Sequence, residues 1–262
     1  MLLPLITAAG YGLLGAGFLL RLRTPGEPRA GWLQLGTLML ALLHALVLLQ
    51  TLPQPAGLDF SFANATSLIA LLVVLVFLAT SWLARLDGLG AVVLPLAALG
   101  TAAMLLPSPA QILDSEHPAP LALHIVLSLG AYSLLAVAAL QALLMSWQDM
   151  RLRHHHPGGL VRALPALQTM EKLLFRLVTA GFVLLSLALA SGFVFLDGLF
   201  QPQLLQKTVL SIIAWVVFGV LLWGRYRAGW RGQTAVRWSL AGFVLLLLAY
   251  LGSKFVMEIL LG

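Results

Sequence analysis

Between Ala63 and Ala84 the chain reads ANATSLIALLVVLVFLATSWLA, a run without a charged residue. At 1.5 Å per residue it extends about 33 Å as a helix, enough to cross a hydrocarbon core roughly 30 Å thick. Asp59 lies just before it, and Arg85 and Asp87-Gly88 just after. In lipid no water can satisfy a free backbone amide, so such a run closes its hydrogen bonds internally, as a helix.

Working outward, the same pattern recurs seven times. Apolar runs lie at Leu2–Leu20, Trp32–Leu52, Leu89–Leu106, Leu121–Trp147, Leu173–Leu196, Thr208–Trp223 and Trp238–Leu261. The connections carry turn chemistry, as at Thr24-Pro25-Gly26, Pro53-Gln54-Pro55, Pro107-Ser108-Pro109 and Pro157-Gly158-Gly159. The pattern predicts an all-α fold, a polytopic transmembrane bundle of about eight helices forming a single domain over residues 1–262. The run Leu121–Trp147 is the longest and should tilt or project past the bilayer. Charged residues make up 9% of the chain, whereas a soluble domain carries about 25%. That is too few to cover a water-facing surface. With 0 cysteines, disulfides, Fe–S clusters and thiolate haem ligation are excluded.

The net charge of +6 is a topogenic signal. Arg21, Arg23 and Arg29 follow the first run, and Arg85 the third. Arg151, Arg153, Arg162, Lys172 and Arg176 surround the link between the fifth and sixth, and Arg225, Arg227, Arg231 and Arg237 the link between the seventh and eighth. Thirteen of the 15 basic residues therefore share one side. The other side carries Asp59, Asp114, Glu116 and Asp197, with only Lys207 and Lys254. The positive-inside rule makes the basic side cytoplasmic and puts both termini outside. The first run is no cleaved leader, because its basic residues follow the apolar segment. Nucleic acid is not a partner, since no basic groove with stacking aromatics appears. Membrane lipid is one, through headgroup attraction to the basic side.

Polar groups inside lipid are costly, so each invites a functional hypothesis. His44 lies within the second span and His124 about one turn inside the outer end of the fifth. Each can ligate a metal or haem iron, or can make an ordinary interhelical hydrogen bond. His124, Ser128 and Tyr132 follow an i, i+4, i+8 spacing and form a polar stripe on one helix face. Thr37 and His44 form a weaker stripe. His44 is roughly 12 Å deep and His124 roughly 5 Å deep at 1.5 Å per residue, so the two do not pair on one iron as a simple case. Lys207 and Lys254 can snorkel to headgroups or form a cationic site for an anionic ligand group. His154-His155-His156 reads as a solvated cytoplasmic loop with a weak capacity for metal. The tryptophans lie mainly at span ends, as an aromatic belt does, and Trp215 inside the seventh span reads as packing.

The segment His124-Ile-Val-Leu-Ser-Leu-Gly-Ala-Tyr132 resembles the histidine-to-tyrosine helix of the cytochrome c assembly membrane proteins, the CcsA-like haem-handling family. Gly229-Trp-Arg-Gly232, Ala241-Gly-Phe243 and Tyr250-Leu-Gly252 are similar to the family's last loop and helix. The resemblance is strongest from about residue 121 onward and lies nearest the short YpjD-like branch. It implies a multi-pass protein of the bacterial inner membrane that binds haem non-covalently and works with a membrane partner in cytochrome assembly. It carries His124 over as an outer haem ligand, adds His44 as an inner candidate, and makes Lys207 and Lys254 candidates for haem propionates. The family's external W-D-P-K-E pattern is reduced here to Lys207, preceded by Leu204, Leu205 and Gln206. Trp223 stands where a histidine is expected, and no histidine follows the last span. A four-histidine relay cannot be built from these residues. No catalytic residue is assigned, and covalent haem attachment is not the expected activity. Two other classes stay open. One is a membrane scaffold or regulatory partner that has lost haem chemistry. The other is a small-molecule transporter, against which stand the lack of an inverted repeat and the few intramembrane carboxylates.

Overall fold

The computed structural model describes residues 2–23, 31–55, 57–83, 87–107, 109–113, 118–153, 161, 164–195 and 202–252. Among them are eight helices: α1 (Leu2–Arg21), α2 (Gly31–Thr51), α3 (Phe62–Leu83), α4 (Asp87–Ala102), α5 (Pro118–Arg153), α6 (Leu167–Phe195), α7 (Pro202–Ala228) and α8 (Gly232–Leu247). Each belongs to a segment long and apolar enough to cross a membrane. The chain is a polytopic helical membrane protein. Helix α5 has 36 residues, about 54 Å of rise, so it exceeds a hydrocarbon core as expected.

Three helices start about six residues earlier than the apolar runs. They are α6 at Leu167, α7 at Pro202 and α8 at Gly232. The added turns carry Glu171, Lys172, Gln206 and Arg237, which break a hydropathy run without breaking a helix. The connections after α2 and α4 also hold a feature that the turn signals did not reveal. Strands β1 (Pro53–Gln54), β2 (Gly57–Asp59) and β3 (Ile112–Leu113) form a small antiparallel sheet in the order β1-β2-β3. Its register pairs Leu58 with both Pro53 and Leu113. The Asp59 carboxylate accepts the backbone amides of Ser61 and Gln111, each at 3.0 Å. It thereby ties the sheet to the start of α3.

The contacts gather into two compact units, Met1–Leu113 with Leu143–Met170, and Asp114–Ala142 with Glu171–Gly262. In the first unit α1 packs closely on α4. A Cβ on Gly15 would come within 2.7 Å of the Pro95 ring, so the bare glycine is what admits Pro95, which lies inside α4. Phe18 meets Phe77 edge-on at 5.8 Å. In the second unit Phe218 of α7 seats on Gly242 of α8, where a Cβ would lie 2.7 Å from its ring.

The basic end of the second unit is held by a polar clasp. Glu171 pairs with Arg225 at 2.8 Å and accepts the amide of Gly232 at 3.3 Å. Arg225 also donates to the Trp230 carbonyl at 3.1 Å. The Trp230 amide returns to the Gly224 carbonyl, and its ring packs 5.4 Å from Trp238. Gly229 and Gly232, at φ +63° and +54°, allow a connection this short. Trp215 donates to Ser186 at 2.8 Å and stacks on Phe182, a packing role.

Candidate functional site

The first unit holds His44, fully buried at 0% exposure. Its Nδ1 lies 3.3 Å from the Tyr11 hydroxyl and its Nε2 lies 2.7 Å from Ser67 Oγ. Ser67 donates to Met104 Sδ at 3.0 Å. A thioether sulfur can only accept, so the Ser67 hydroxyl proton is spent there. Ser67 Oγ then accepts from Nε2–H, and the lone pair on Nδ1 accepts from Tyr11. The four side chains form one directional chain with both ring nitrogens engaged. Iron binding at His44 would require one of these bonds to open. Thr37, from the same stripe, turns back to the Leu33 carbonyl at 2.7 Å.

The second unit holds His124, on α5. Its Nδ1 lies 3.0 Å from the Ala188 carbonyl and 3.1 Å from Ser191 Oγ, both on α6. A carbonyl only accepts, so Nδ1 carries the proton and Nε2 keeps the lone pair. Nε2 has Ser128 Oγ at 3.3 Å, a hydroxyl free to rotate. Gly192 makes room for the ring, since a Cβ there would come 3.1 Å from His124 Cε1.

His124, Ser128, Tyr132 and Lys207 all line one cavity of about 250 Å³. Thr208 and Ser211 of α7 add hydroxyls, and Leu129, Leu185, Leu189, Phe193 and Leu246 make its walls largely apolar. Tyr132 is 7% exposed, and its hydroxyl has no hydrogen-bond partner among the described residues. Its ring packs on Phe243 at 5.5 Å and on Tyr250 at 6.1 Å.

Four of the six residues singled out in the sequence thus meet at one cavity. His44 belongs to the other unit. Lys254 lies outside the described residues, as do His154-His155-His156 and His117, a histidine that the sequence reading did not single out. Ala188, Ser191 and Gly192 were missed, as were Tyr11 and Ser67. The small-residue cluster Ala190-Ser191-Gly192 was the available signal, because small residues mark close helix contact. No group of three metal-binding side chains occurs among the described residues.

The donor set fits an iron porphyrin. It offers an imidazole Nε2 whose opposite nitrogen is anchored, as iron- and zinc-bound histidines are. It also offers a cationic side chain and apolar walls. His124 would hold the iron, and Lys207 would meet a carboxylate.

The sequence pattern of the family described as Cytochrome C assembly protein matches residues 32–261. The inner membrane protein YpjD of Escherichia coli K12 is 34% identical over 251 residues, covering 92% of this chain and 94% of its own. Protein HemX of Brevibacillus brevis is 26% identical over 131 residues, 49% of this chain and 48% of its own. The cytochrome c biogenesis protein CcsA of Prochlorococcus marinus is 30% identical over 87 residues, 32% of this chain and 28% of its own. No solved structure matches.

Proposed function

We propose that this chain, which belongs to the cytochrome c assembly protein family, is an inner-membrane protein that binds haem non-covalently in the cavity of its second unit. The observation that carries this reading is the meeting of His124, Ser128, Tyr132 and Lys207 at one largely apolar cavity. Ala188 and Ser191 hold the His124 ring by Nδ1, which leaves Nε2 with Ser128 Oγ at 3.3 Å beside the cavity. Lys207 supplies the cation for a carboxylate. Bound there, haem would supply an iron centre with imidazole as axial ligand. The family and the CcsA- and HemX-like relatives support a haem-related role at the membrane. Holding or passing haem to a membrane partner is the form of that role we infer.

Titration of haemin into purified protein should give a saturable Soret shift with about one haem per chain. A featureless titration would overturn the reading. It would favour instead a scaffold without haem chemistry, a reading supported by the missing tryptophan, aspartate and proline before Lys207. The orientation we propose puts the basic end in the cytoplasm. Cysteine at Ala110 should then react with an impermeant label in intact cells and cysteine at Tyr226 should not. The reverse pattern would invert the topology.

A further inference from the structure

A serine or threonine inside a helix can donate to the carbonyl four residues back. In the second unit Ser133 donates to the Leu129 carbonyl at 2.7 Å, Thr179 to Phe175 at 2.7 Å and Ser186 to Phe182 at 2.8 Å. Ser128 departs from this pattern. Its Oγ lies 3.3 Å from Nε2 of His124, the side chain four residues back, and both residues line the cavity. Nδ1 of the same ring faces two groups that accept. One is the Ala188 carbonyl, and the other is Ser191 Oγ, whose own proton goes to that carbonyl at 2.9 Å. Nδ1 therefore carries the ring proton, and Ser128 is the donor to Nε2. At 3.3 Å this bond exceeds the range of about 2.5–3.0 Å usual for a hydroxyl donor, so it opens at small cost.

We propose that Ser128 is a positioning residue that reversibly caps the ligating nitrogen. Its hydroxyl donates to His124 Nε2 in the ligand-free protein and turns to the His124 carbonyl when that nitrogen holds a metal. This rests on the proposed haem reading and adds how the site releases what it binds. Either position gives the hydroxyl proton an acceptor, so the switch costs only the difference between two hydrogen bonds. The cap gives Nε2 a partner whenever the ligand leaves, which lowers affinity and eases release. That suits a site that passes its ligand on. Because the cap competes for a lone pair, it opposes a metalloporphyrin and is indifferent to a metal-free one.

The test is Ser128→Ala, with haemin and metal-free protoporphyrin IX titrated into variant and wild type. Alanine is a strong helix former, so the fold should persist, and a thermal melt checks it. Removing the cap should tighten haemin binding about two- to fivefold, the lower part of what one neutral hydrogen bond contributes. Affinity for the metal-free porphyrin should be unchanged, and bound haemin should keep the wild-type spectrum. Equal or weaker haemin binding by the folded variant would overturn the proposal and leave the haem reading standing. Tightening for both porphyrins would also overturn it, since the hydroxyl would then merely crowd the cavity. Failure of wild type to bind haemin would overturn both readings together.

Discussion

The two intramembrane histidines sit in opposite tautomers, for reasons visible in their neighbours. At His44 the acceptor-only sulfur of Met104 orients Ser67, puts the ring proton on Nε2 and turns the lone pair toward Tyr11. At His124 the acceptor-only carbonyl of Ala188 puts the proton on Nδ1 and leaves the lone pair facing a hydroxyl and a cavity. One ring is spent on joining α1, α2 and α3. The other is held on one side and usable on the other. A histidine in a membrane span is therefore not a functional site by residue type alone. Each second nitrogen has a hydroxyl at 3.3 Å. What differs is that His124 lines a cavity and His44 is packed on every side.

A pair of substitutions would break this comparison most sharply. His124→Ala should weaken haemin binding by about a hundredfold or more, roughly 2.7 kcal/mol or above, with a small change in melting temperature. His44→Ala should do the opposite. It leaves Tyr11 and Ser67 without a partner in a packed interior and opens a void. It should therefore cost about 2–4 kcal/mol of stability, with haem per folded chain unchanged. Spectra and thermal melts on the same preparations check both, and loss of haem from folded His44→Ala would collapse the distinction. Lys207→Gln should produce an intermediate effect, about tenfold weaker haemin binding if a charge-assisted contact is lost. Raising the salt should narrow that gap. Gly192→Ala should be the mildest. The added methyl presses on His124 Cε1 and should weaken haemin binding about threefold, a fraction of the tenfold that 1.4 kcal/mol gives. Alanine in a helix interior is otherwise favoured by roughly 0.5–1 kcal/mol, so melting should hold or rise. Equal losses of affinity and stability would mean that the glycine serves packing instead of the ring.

The spans were legible because the part of a helix that crosses lipid must be apolar, and each of the eight runs holds a helix among the described residues. The starts of α6, α7 and α8 were not, since Glu171, Gln206 and Arg237 lie in helical turns that hydropathy cannot tell from loops. Strands of two or three residues, like Pro53–Gln54, show no alternation to read. The His124–Ser128–Tyr132 stripe was legible because helical periodicity puts those residues on one face. Tyr11, Ser67, Ala188 and Ser191 were not, since each comes from another helix whose rotation local sequence does not set.

The anchor of His124 has one further consequence. Its main acceptor is a peptide carbonyl, which every amino acid at position 188 would supply. Mutation cannot delete it, only crowd it with a bulkier side chain. The orientation of the imidazole is thus insured against drift in the surrounding side chains. The hold on His44 depends on three particular side chains and has no such insurance.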